Sequence, residues 1–262
     1  MSLALQQEEQ FSLSYSEVVR EHPDLPPLVI LKIDVQRRGV HYTKNTLQVI
    51  DPAVHQLRSP NIFGARDARL TPVPDSLLLR DGSSIVVDPT PLERNPYLVD
   101  VVDGQLVLTD QGEVLETVDF WSKPDFYDKK TSSGVLMNHV ITARPQRINV
   151  FPSGFCYFWV NDKGCRFCDV VNHLKQQRAE LGIPTRQNPQ DVFEAVREAL
   201  KQPGRFTTIC LTAGSDTRGA EPFDQEVDYY IEILQAIGAN FKVKKFHSQL
   251  VATAFSEKQL AR

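Results

Sequence analysis

From Arg147 onward the chain alternates short apolar runs with amphipathic stretches, and few folds accommodate that rhythm. The segments 147–151, 206–212 and 241–252 read as strands. Between them, 170–181 is helix-like and stops before Gly182. Asn188-Pro189 has the form of a helix cap followed by proline at the first helical position, and Val192, Ala195, Val196, Ala199 and Leu200 make that helix's apolar stripe. A further helix spans 221–237, with Val227, Tyr230, Ile231 and Leu234 on one side and Gly238 as its stop. Strands separated by helices imply parallel pairing with crossover connections.

Before this region the rhythm differs. Runs at 29–35, 84–87, 97–102 and 105–109 suggest strands, and Asp81-Gly82, Asp103-Gly104 and Gln111-Gly112 are turn pairs of the hairpin kind. Prolines at 72, 74, 89, 91 and 96 suit irregular connections and edge strands. The expected organisation is therefore a small β-rich domain or leader over 1–143, of no legible role, and an α/β core over 144–262.

Bulk properties exclude several classes. A formal net charge of -4 over 262 residues gives no electrostatic footprint for nucleic acid. No run approaches the ~20 apolar residues of a membrane helix, and the first ten residues lack the basic start and apolar run of a secretory signal. The expectation is a cytoplasmic soluble protein, off the membrane.

The chain has four cysteines, too few for a disulfide scaffold at this length. Three of them, Cys156, Cys165 and Cys168, fall in one short stretch that follows the strand at 147–151. Close thiols in such a protein point to metal or redox chemistry, and thiolates are the soft ligands that zinc and iron–sulfur clusters require. A structural zinc wants a closed set of four ligands. Cys210, inside an apolar run, and His173 are the nearby candidates for a fourth. Three cysteines alone would leave one iron of a cubane cluster open to a substrate or cofactor.

The run Phe155-Cys156 to Phe167-Cys168 resembles the cluster loop of the radical S-adenosylmethionine superfamily, in which three cysteines follow the first strand of a parallel (β/α) barrel. The usual pattern is CxxxCxxC with an aromatic residue before the last cysteine. Phe167 stands in that place here, while the first gap is eight residues rather than three. The resemblance extends to the end of the next strand, where the family carries a glycine-rich segment that meets the amino group of the methionine moiety. Here the segment is Ala213-Gly214-Ser215-Asp216. The resemblance covers roughly 147–262. It implies an α/β fold with a partial parallel (β/α) barrel of this type. It implies a 4Fe-4S cluster on Cys156, Cys165 and Cys168, with S-adenosylmethionine held by Phe167 and by Ala213, Gly214, Ser215 and Asp216. It also implies a small-molecule or peptide substrate and an electron donor such as flavodoxin or ferredoxin. The activity implied is reductive cleavage of S-adenosylmethionine to a 5′-deoxyadenosyl radical, and it leaves the reaction class and the catalytic residues on the substrate open.

Side chains alternate along a strand. If Phe246 and Leu250 face the helices, Lys245, His247 and Gln249 face the lumen and become candidates for ligand contact; the alternative is a partly solvated strand. Cys210 reads as a small buried apolar residue. Tyr157, Phe158 and Trp159 either shield the cluster or pack a long loop. Ser256 and Glu257 begin a capped helix near Arg262, so the barrel is expected to be truncated. Two rival functions follow from the same residues: a non-catalytic zinc- or cluster-binding module, and an inactive fragment of such an enzyme.

Overall fold

The computed structural model describes residues 13–57, 73–166, 168, 185–241, 247–251 and 253–262. They form two compact units, with described residues 13–57 and 73–123 in the first and 124–262 in the second. Elements are numbered below in chain order among the described residues, none of which forms a helix long and apolar enough to cross a membrane.

The first unit is mixed α/β. Its helices are α1 (Tyr15–Glu21), α2 (Pro27–Arg38) and α3 (Lys44–Val49). Its strands are β1 (Val40–Tyr42), β2 (Ser76–Leu79), β3 (Ser84–Val86), β4 (Tyr97–Val102), β5 (Gln105–Asp110) and β6 (Glu113–Phe120), in the order β1-β4-β5-β6-β2-β3. β1 and β4 are parallel, and every other pair is antiparallel. Asp103 and Gly104 both have positive φ, as do Gln111 and Gly112, so both tight hairpins form where the turn pairs stand.

The run 29–35, expected as a strand, is the middle of α2. Prolines at 26 and 27 start the helix, and its buried positions Ile30, Leu31, Val35 and Arg38 follow helical rather than alternate spacing. Gly39 ends it at φ 75°, where a Cβ would meet Thr90 Oγ1 at 2.0 Å. Arg38 turns inward. It donates to both oxygens of Asp110 at 2.6 and 3.1 Å and stacks on the Tyr97 ring, and Tyr97 in turn donates to Asp34.

The second unit starts at Pro124 rather than near 144, because Phe126, Met137 and Val140 belong to its core. β7 (Ile141–Arg144) pairs antiparallel with β8 (Arg147–Val150). β8, β9 (Thr208–Leu211) and β10 (His247–Leu250) then follow side by side, parallel and in chain order. The architecture is thus a parallel run with an antiparallel edge strand. Helices α5 (Pro189–Ala199) and α6 (Asp224–Gly238) pack on one another, hence on the same face of this sheet. Asn188 caps α5 as expected, by accepting from the Gln190 amide. The core joins Ile148, Val150, Ile209 and Leu211 of the strands to Val192, Ala195, Val196 and Ala199 of α5 and to Tyr230, Ile233 and Ile237 of α6. The buried stripe of α6 therefore runs through Ile233 and Ile237, and Leu234, expected on it, is exposed. The remaining α-helices are the short α4 (Tyr157–Val160) and α7 (Glu257–Leu260), α7 with the Ser256 cap in place. The expected helix at 170–181 lies outside the described residues.

Candidate metal centre

β8 and β9 are parallel neighbours, so the chain leaves both at the same end of the sheet, where side chains from successive connections meet. The ladder runs past the strand ends: the Thr212 amide donates to Val150 O at 3.1 Å. After β8 the chain passes Pro152 and Ser153 and is pinned on its far side, where the Gly154 amide donates to Thr185 O and the Gln187 amide to Pro152 O. It then reaches Cys156, buried and extended, at the start of α4.

Gly214, just beyond β9, lies against this point. A Cβ there would sit 2.3 Å from Phe155 O and 2.5 Å from Cys156 Cβ. Only a residue without a side chain allows the two connections to come so close. One residue on, Ser215 O accepts from the Tyr157 amide at 2.7 Å, which binds the first turn of α4 to the glycine segment. The cysteine loop and the glycine segment, matched separately in the sequence, are thus in direct contact.

Beyond α4 the loop turns through Asp162 at φ 56° and folds Gly164 onto the Trp159 indole, which a Cβ would meet at 2.6 Å. The buried Trp159 Nε1–H has no acceptor among the described residues. The Cys168 amide donates to Cys165 O at 3.1 Å, closing the CxxC turn. All four cysteines are free: Cys156 and Cys210 buried, Cys168 half-buried and Cys165 exposed. No group of three or more His, Cys, Asp or Glu side chains among the described residues stands close enough to hold a metal ion. The structure thus places Cys156, Cys165 and Cys168 in one loop without converging their thiols. In kind the donor set fits an iron–sulfur cluster, with three free soft ligands and a buried unpaired donor beside them. Comparison with protein-family models, curated proteins and solved structures finds no match.

The other expected residues are placed unequally. Ala213, Gly214 and Ser215 line the β9 end. Asp216, expected to be open to an ammonium group, is fully buried and already engaged: its Oδ2 and Oδ1 accept from Arg218 Nη2 at 2.6 Å and Nε at 2.8 Å. Its amide donates to Glu226 Oε2 at 2.7 Å, and Glu226 Oε1 accepts from Thr253 Oγ1 at 3.1 Å. Burial raises the Glu226 carboxyl above its ordinary range, with the neighbouring Asp216 adding to the rise and the two hydrogen bonds opposing it. His247 and Gln249 align across the ladder with Thr208 and Cys210, and Gln249 also shares a row with Asn149. Leu250 aligns with Leu211 and Val150, which belong to the helix-side core, so His247 and Gln249 are on the opposite face; all of β10 is exposed. Phe167, Lys245 and His173 lie outside the described residues.

Sequence reasoning missed Arg218, Glu226 and Asn149. Glu226 was discoverable, since it falls on the α6 stripe with Tyr230, Ile233 and Ile237 at helical spacing, and a carboxylate on a buried stripe needs partners. Arg218 had the weaker signal of a cation two residues after an acid.

Proposed function

We propose that the chain is an enzyme of the radical S-adenosylmethionine type. Cys156, Cys165 and Cys168 would hold a 4Fe-4S cluster, and the Ala213–Asp216 segment would receive S-adenosylmethionine beside it. The contact of Gly214 with Cys156 carries this reading: it brings the segment expected to meet the methionine moiety onto the first expected iron ligand. When bound, such a cluster supplies the electron that splits S-adenosylmethionine into methionine and a 5′-deoxyadenosyl radical.

This chain's own residues have other tasks. The bare backbone at Gly214 lets the cysteine loop pack directly on the segment, and Ser215 fixes the loop to the strand end. Trp159 covers one side of the loop and offers its unpaired N–H to an acceptor there, a kind of contact that tunes cluster potentials. The Glu226 carboxylate holds the Asp216 amide, and through it the orientation of the segment. A flavodoxin or ferredoxin and a small-molecule or peptide substrate complete the proposal.

The test is anaerobic reconstitution with iron and sulfide. About four irons per chain, lost when all three cysteines become alanine, and 5′-deoxyadenosine formed on adding dithionite and S-adenosylmethionine, are the expected results. One zinc and no iron in the protein as isolated and after reconstitution would replace this reading with a zinc-binding module.

A further inference from the structure

Arg218 is exposed, yet it is held from several directions. Its amide donates to Asp216 Oδ1 at 3.1 Å, and its carbonyl accepts from the Gln225 amide at 3.0 Å. Its guanidinium makes the two-pronged pair with Asp216, and its Cζ lies over the Phe155 ring, 4.3 Å from the centroid. Gly219 follows at φ 134°, and a Cβ there would meet Asp224 Cβ at 2.5 Å, so the turn behind the arginine is packed. An arginine on a surface normally spends rotamer entropy on each contact it makes; here the backbone, the acid and the ring have already fixed it. Its side chain nonetheless keeps 54% of its surface exposed, and the Nη1 hydrogens have no partner among the described residues. Asp216, by contrast, is 0% exposed and spends its carboxylate on Arg218. The group presented to a ligand at this end of β9 is the cation, over the residue that precedes Cys156.

We infer that Arg218 is an anion anchor, taking the carboxylate of a ligand bound at the ends of β8 and β9, with Asp216 and Phe155 as its positioning residues. A fixed planar fork with outward N–H groups suits a carboxylate better than a mobile lysine would. The carboxylate belongs either to S-adenosylmethionine, a source that rests on the function proposed above, or to a second substrate.

Calorimetry on the full chain after reconstitution separates the sources, with S-adenosylmethionine, its decarboxylated analogue and malonate as probes. If the methionine carboxylate is the ligand group, the wild type binds S-adenosylmethionine about tenfold or more tightly than the analogue, the worth of a charge-assisted hydrogen bond. Arg218→Gln then abolishes that preference, and Arg218→Lys restores only part of it. If a second substrate supplies the carboxylate, Arg218→Gln leaves S-adenosylmethionine binding unchanged and removes malonate binding seen in the wild type. Because Arg218→Gln strands a buried Asp216, the double variant Arg218→Gln/Asp216→Asn is measured alongside, with thermal melting to show that it folds. Binding of all three probes unchanged in the folded variants overturns the anchor. Failure of every form to bind S-adenosylmethionine overturns the proposed function instead, and malonate alone still decides the anchor.

Discussion

Gly214 and Cys156 are in backbone contact: a single methyl group on Gly214 would lie 2.5 Å from the Cys156 β-carbon and 3.0 Å from its α-carbon. The two residues are far apart in sequence and come from the connections after neighbouring parallel strands. Their closeness makes the cysteine loop and the glycine segment one structural object, so changes in either should be felt in both.

Gly214→Ala should therefore cost about 1–3 kcal/mol of stability, as overpacking at a tight contact does, and should lower iron uptake on reconstitution. Gly238→Ala supplies the contrast. It sits in α6 with nothing within 4 Å of an added Cβ, so it should stabilise by roughly 0.5–1 kcal/mol. Urea unfolding with parallel iron analysis checks both; a Gly214→Ala protein as stable and as iron-loaded as the wild type would separate the two connections energetically.

Cys210→Ala should leave iron content unchanged. Cys210 is buried in β9 between Asn149 and Gln249 of the flanking strands, and its thiol acts as a small apolar filler. Loss of iron to the level of Cys165→Ala in a folded protein would make it a ligand.

Glu194 of α5 gives the second unit a specific acid sensitivity. Hydrogen bonds from the Ser132 hydroxyl, from Gln190 and from the Ser132 amide lower its carboxyl from 4.5 to about 2. A carboxyl lowered on folding stabilises the native state above its unfolded value, and that contribution drains away as pH falls through the window from 4.5 to about 2. Ser132→Ala removes the hydroxyl bond and keeps the amide bond, so it should lower stability at neutral pH, where the contribution is complete, and raise the pH of the acid transition followed by circular dichroism. An unshifted acid transition would exclude Ser132 as the cause.

In the first unit, Asp110→Ala should be among the most damaging single changes. The Arg38–Asp110 pair leaves 4% and 2% of its side chains exposed, and removing one partner of a buried pair costs about 3–5 kcal/mol. Replacing both by apolar residues, Arg38→Met with Asp110→Leu, should recover much of the loss. Chemical denaturation of the two variants beside the wild type measures it, and a double variant no better than Asp110→Ala would mean that the Tyr15 amide, which also donates to Asp110, carries the effect.

What the sequence made legible follows from the range of the forces involved. Hairpin turns at Asp103-Gly104 and Gln111-Gly112, the Asn188 cap and the stripe of α5 depend on neighbours a few residues away, and each stands where its local chemistry puts it. The 29–35 run misleads because Val and Ile favour strands in isolation, whereas Pro26-Pro27 and the burial of Leu31 and Val35 decide for a helix. At the candidate centre, the cysteines and Gly214 were visible as residue types. That Asp216 would be consumed by Arg218 and Glu226 was not, because those bonds depend on how the turn after β9 meets the start of α6.

β7 has a further consequence for how this sheet can be completed. It runs antiparallel along the edge of β8, the strand at which an unbroken ring of parallel strands would have to close. Its hydrogen bonds occupy that seam, so an additional parallel neighbour can be recruited only along β10. Among the described strands, the parallel run is therefore covered on one side, where β7 pairs with β8, and open on the other, along β10.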